Sequence, residues 1–227
     1  MLLLENSCQV EINKMKKTLG ALLVAGALVM PSAASAGNFG KVDAVANTNG
    51  ALVDASAGVQ SPGDLYVQGF CRTRAMHTWE EGGDNLFTLC AGNVGYKGIT
   101  LGLQERFSAG SDYQMVPWAS VGASGSVEPS EELKLSGATS LSSSIPYGVL
   151  ELRLVGSMDI DSDKWFVPST VELESMTWLS GGDFSGTERL FVGYDLGKVE
   201  VGPYVEMDWT EDRASVAPGI KLRYDGN

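Results

Sequence analysis

The stretch Ala217-Pro218-Gly219-Ile220-Lys221-Leu222-Arg223-Tyr224 alternates apolar and basic residues over its second half and closes on an aromatic ring. Successive side chains of a β-strand point to opposite faces. Ile220, Leu222 and Tyr224 therefore share one face, and Lys221 and Arg223 share the other. A period of two argues for a strand rather than a helix. It gives the contrast between the faces, and not which of them meets water.

The same period recurs upstream from about Leu65, interrupted by turn residues every 10 to 18 positions. Ten antiparallel strands are expected, over residues 65–77, 86–96, 99–107, 114–127, 132–142, 147–158, 165–179, 188–196, 198–209 and 215–225. One face is apolar throughout, with Ile99, Leu101, Leu103, Leu150, Leu152, Leu154, Val171, Leu173, Val201 and Val205 among its members. The other collects Arg72, Arg74, Arg106, Lys134, Glu151, Arg153, Glu172, Glu174, Glu200, Tyr204, Glu206, Asp208, Lys221 and Arg223. Residues 37–63 read in two ways. Asn47-Thr48-Asn49-Gly50 can turn an extra hairpin, which makes the count twelve, or the segment is a leader before a barrel at 64–227.

The chain opens with features of export. Met15 precedes the basic pair Lys16-Lys17, residues 19–30 are apolar, and Ala34-Ser35-Ala36 fits small-residue cleavage, so residues 1–36 are expected to be upstream sequence plus a secretory signal starting at Met15. The whole chain carries a net charge of −12, and residues 1–36 contribute +1 of it. Such acidity excludes nucleic acid and anionic lipid as electrostatic partners. Beyond Gly37 no apolar run approaches the roughly 20 residues a membrane helix requires, so any membrane-embedded form has to be a closed barrel.

In an exported chain, the closing stretch with its terminal aromatic resembles the final strand of bacterial outer-membrane β-barrels, and the resemblance covers about residues 65–225. It departs from that class at its end, where Asp225-Gly226-Asn227 follow the ring. The resemblance implies an all-β fold, a single antiparallel up-and-down transmembrane β-barrel of about ten strands, with eight or twelve as alternatives. It also implies lipid outside, water inside, and the outer-membrane lipid and barrel-assembly machinery as partners. Trp79, Trp178 and Trp209 then belong to one interfacial girdle, and Tyr96, Trp165 and Tyr224 to the other. Outward connections are expected to be the longer ones, including Ser180 to Thr187. A soluble periplasmic β-protein with the faces reversed is the competing arrangement.

With the polar face inward, the lumen holds seven bases and six acids, so the acidity of the chain lies in loops and turns. Such balance either interlocks as ion pairs that plug a narrow barrel or sets acids and bases on opposite walls of a small channel; twelve strands favour conduction and eight a plug. The expected function is a passive, low-selectivity pore for small polar solutes, the alternatives being a closed structural barrel and a soluble binding module. Cys71 and Cys90 are disulfide candidates across a hairpin. His77 lies beside acidic residues without a marked nucleophile, so no enzyme is expected. Asp159, Asp161 and Asp163 have calcium-loop spacing, but Lys164 and Thr170 stand where Gly and Glu belong, so neither a metal nor a cofactor is expected.

Overall fold

The computed structural model describes residues 38–61, 63–79, 84–109, 114–144, 147–162 and 166–225. The expected signal at 1–36 and Trp165 lie outside them. Twelve strands run in chain order: β1 (Asn38–Asn47), β2 (Gly50–Gln60), β3 (Leu65–Thr78), β4 (Asp84–Tyr96), β5 (Ile99–Ala109), β6 (Gln114–Ser130), β7 (Leu133–Ser144), β8 (Leu150–Ile160), β9 (Thr170–Ser180), β10 (Asp183–Asp195), β11 (Val199–Thr210) and β12 (Ala214–Asp225). Each pairs antiparallel with its sequence neighbours, and β1 pairs with β12 to close the barrel. Closure leaves no edge strand, so the sheet satisfies its own backbone groups.

The count is twelve, the alternative that a hairpin over residues 37–63 allows, because that hairpin forms. Asn47 Oδ1 accepts the N–H groups of Asn49 at 2.9 Å and Gly50 at 3.0 Å, so one side chain holds the β1–β2 turn. Two further connections use two residues with positive φ, as hairpins with primed turns require. They are Lys97-Gly98 (47° and 83°) and Gly181-Gly182 (65° and 104°). The second corrects the sequence expectation. Residues 180–187 are not a long outward loop, since β10 starts at Asp183 and the reversal takes only the two glycines. The joint between β8 and β9, residues 161–169, is longer and lies at the end of the barrel that holds both termini, so loop length does not distinguish the two rims.

The register settles which face meets which medium. Glu172, Glu174, Lys221 and Arg223 point inward, while the side chains between them point out. Leu101, Leu103 and Ile220 are 63%, 69% and 60% exposed on the outer wall, whereas Lys221 and Arg223 are 6% and 5% exposed. A water-soluble barrel places these classes the other way round. The apolar band continues through Val94, Val121, Leu141, Leu152, Leu154, Leu173, Leu190 and Val205. The chain is therefore an inverted barrel, built for lipid outside and polar contact within.

Candidate functional site

The inward side chains assemble into three ionic clusters. At the seam where β1 meets β12, Lys221 Nζ lies 3.1 Å from Asp43 and 3.4 Å from Glu172. Arg223 reaches Glu172 at 2.6 Å, Asp43 at 3.2 Å and Glu200 at 3.5 Å. Lys41 adds a contact to Asp43 at 3.6 Å. Glu200 also accepts from the hydroxyls of Ser169 and Thr170, at 2.9 and 2.6 Å. The ring of Phe191, 1% exposed, has Lys221 and Arg223 each 4.9 Å from its centroid. Both cations gain the negative face of an aromatic ring as well as their carboxylates.

The second cluster occupies the middle of the lumen. Asp54 on β2 accepts from Arg72 Nε at 2.7 Å and from Arg74 Nη2 at 2.9 Å. Glu174 on β9 accepts from Arg153 Nε at 2.7 Å and from Arg189 Nη1 at 3.2 Å. Arg189 also donates to Glu206 at 2.7 Å, and Tyr204 donates its hydroxyl to the same carboxylate at 2.8 Å.

The third cluster lies toward the far rim and draws on β5, β6, β8 and β9. Arg106 on β5 reaches Glu151 on β8 through two N–H groups, at 2.7 and 3.1 Å. Its guanidinium stacks 3.7 Å from the Trp118 ring centroid, and Trp178 Nε1 donates to Glu151 at 2.9 Å. Arg106 crosses β6 by lying over the Trp118 ring, and beyond it β7 turns only the small residues Ser142 and Ser144 inward, 2% and 1% exposed, while Ser120 and Gly122 on β6 and Ser140 on β7 follow on the same face. The same small set, continued by Ser124, Ser126, Ser136 and Ala138, leaves that wall without bulky charged groups. Among the charged strands, a cavity of about 300 Å³ is lined by Leu52, Asp54, Phe70, Arg72, Arg153, Val155 and Glu172 among others.

All fourteen polar residues expected on the inner face share the inward parity. Lys134 is at the terminus-side rim, with its side chain 49% exposed and 3.9 Å from Glu128. Asp208 accepts from the Thr187 hydroxyl at 2.6 Å. Lys41, Asp43 and Asp54 also point inward but escape sequence reasoning, because residues 37–63 read equally as leader or hairpin. Arg189 escapes it because Glu188 and Arg189 are consecutive, so the polar period fails where β10 passes them. Acids and bases interleave as local pairs rather than facing each other across the lumen, so the opposite-wall arrangement does not form. Trp178 is not a girdle residue. It follows Glu172, Glu174 and Met176 in steps of two and points into the lumen, a parity that was readable from the sequence. Trp209 does face out, over Gly186.

Cys71 and Cys90 are directly opposed on β3 and β4, with Cα atoms 4.1 Å apart, and form a disulfide on the outer face. His77 also faces outward, edge-on to Trp79 with ring centroids 5.4 Å apart. Among the described residues no group of three or more His, Cys, Asp or Glu side chains is arranged to hold a metal ion. The loop residues Asp163 and Lys164 lie outside the described set.

No family model matches the chain, and no curated protein matches it either. Solved structures to which it is similar include the KdgM porin, 11% identical with a TM-score of 0.44, covering 82% of this chain and 98% of that one. The β-domain of the Bordetella autotransporter BrkA is 12% identical with a TM-score of 0.39, over 83% and 98% of the two chains. The outer-membrane protein OmpT of Vibrio cholerae is 8% identical with a TM-score of 0.36, over 83% and 98%. The likeness is loose in each case. The chain's own closed wall, apolar outside and charged inside, is what identifies it as a membrane-type β-barrel.

Proposed function

We propose that this chain resides in a bacterial outer membrane and acts there as a passive pore for small polar solutes. The observation that carries the reading is the uneven filling of the lumen. Paired charges crowd one side and line a cavity of about 300 Å³, while β6 and β7, between Trp118 and the terminus-side rim, present serine, glycine and alanine. A lumen meant only to be plugged gains nothing from a wall of small polar residues, whereas a water-filled passage needs such a wall. Twelve strands give a circumference between the side-chain-filled eight-stranded barrels and the open porins. Recording of the refolded protein in a planar bilayer tests this. Discrete conductance steps are the expected result, and their absence at repeated insertion would remove it.

A second reading has its own support. Most of the ion-paired side chains in the lumen are less than a fifth exposed, as in a barrel closed by its own salt bridges. In that form the protein serves as a structural or surface-contact element. Neutralising Arg153 together with Glu174 distinguishes the two: the closed form loses stability with no change in flux, and the pore changes its conductance.

A further inference from the structure

The middle cluster carries an imbalance that the lumen as a whole conceals. Asp54 is shared by Arg72 and Arg74, and Glu174 is shared by Arg153 and Arg189. Each group has two cations for one anion. Both line the same cavity, whereas Glu206, which also touches Arg189, does not. The lining residues of the seam cluster, Lys41 and Lys221 with Asp43 and Glu172, balance each other. Glu206 pairs with Arg189 at 2.7 Å from outside the lining, so four guanidiniums are set against three carboxylates and the cavity is left with a surplus of one positive charge, inside a protein whose net charge is −12.

Hydrogen bonding points the same way. Each guanidinium has five N–H donors, while a carboxylate offers about four lone-pair sites. One carboxylate shared between two guanidiniums leaves donors unused, and Arg153 is the most open of the four, with its side chain 35% exposed. Leu52, Phe70 and Val155 line the cavity next to these donors. A guanidinium fork matches a carboxylate in plane and spacing, and the apolar residues offer a surface to the rest of the molecule that carries it.

We infer that the cavity is a selectivity site for small organic carboxylates, with Arg72, Arg74 and Arg153 meeting the anion and Leu52, Phe70 and Val155 its apolar body. This deepens the pore reading and rests on it for transport, though not for binding. Two measurements separate them. In planar bilayers under a potassium chloride gradient, the reversal potential should show chloride preferred over potassium by about fivefold, the size expected of one charge acting through water at close range in a narrow lumen. Arg153→Gln should bring the ratio to within about twofold of unity. In detergent, titration of the folded protein with benzoate should saturate, and R153Q should weaken it about tenfold, as the loss of one charge-assisted pair implies. The double variant Arg72→Gln with Arg74→Gln should abolish it. Heat-dependent gel mobility confirms that each variant is folded; R153Q leaves Glu174 its second partner, Arg189, and so tests the site even where the double variant does not assemble.

Channels that prefer potassium, or that show no preference, together with no saturable benzoate binding, would overturn the inference and leave the pore reading intact. Saturable binding lost in R153Q, but no conductance in any preparation, would keep the carboxylate site and remove the pore.

Discussion

Arg106 shows how one residue is fixed from several directions. Its guanidinium has a bidentate acid, a tryptophan face 3.7 Å away and the oxygen of Gln104. Glu151, 9% exposed, in turn has Arg106 and the indole of Trp178 as partners. Removing one member of such a pair strands the other in a dehydrated place. Arg106→Ala is expected to destabilise the barrel by about 3–5 kcal/mol, read from urea unfolding in lipid vesicles. Replacing both partners, Arg106→Leu with Glu151→Leu, should cost far less, since no charge is left alone. The disulfide makes a different kind of claim. Cys71 and Cys90 close a loop of 19 residues of sequence separation on two strands already paired. Its effect is on the unfolded chain, and Cys71→Ala should lower stability by about 3 kcal/mol in the same assay, with thiol labelling of the denatured, unreduced parent protein showing no free thiol at Cys71 or Cys90.

At the scale of the element, the Gly181-Gly182 turn decides where β9 ends and β10 begins. Both residues have positive φ, a region in which a side chain is penalised by roughly 1–2 kcal/mol. Gly182→Val is therefore expected to cost about that much or somewhat more, as a β-branched residue suits the turn least, and the loss should appear as a lower urea midpoint with an unchanged slope. This turn also marks the limit of what the sequence made legible. Strands with strict alternation, such as residues 99–107, 198–209 and 215–225, were placed to within a few positions, together with their inward faces. β10 was begun five residues late at position 188, because Asp183-Phe184-Ser185-Gly186-Thr187 has the composition of a loop and only pairing with β9 makes it a strand. β9 was begun five residues early for the converse reason, with residues 165–169 belonging to the preceding connection. The hairpin of β1 and β2 is rich in alanine and glycine, which carry almost no periodic signal. The hairpin is readable as an alternative, but its inward residues Lys41, Asp43 and Asp54 are not, and two of the three ionic clusters depend on them. The chemistry of the lumen was thus visible residue by residue along the charged strands, while which acid meets which base depends on shear and closure, which periodicity does not encode.

Across the whole molecule, the orientation of the wall has a direct test. Leu154 is 46% exposed on the outer face, and on a soluble protein its exchange for arginine would change stability little, within about 0.5 kcal/mol. In a bilayer the same Leu154→Arg change, at the middle of β8, is expected to cost about 2–4 kcal/mol, measured by folding into vesicles of defined lipid. Native and variant proteins in detergent micelles should differ less, because a micelle adapts around a charge. The seam between β1 and β12 adds a constraint on time rather than on stability. Arg223 and Asp43 are 180 positions apart in the chain, and they meet only when the last strand docks on the first. Loop closure over such a distance is the slowest kind of pairing to find by diffusion. Every other hairpin can zip locally, so the order of events is set: a curved, open sheet comes first, and the final docking removes Lys221 and Arg223 from solvent in one step. A chain shortened before Lys221 would therefore keep all its hairpins and still present two raw edges, a ready substrate for proteases and for pairing with other copies of itself.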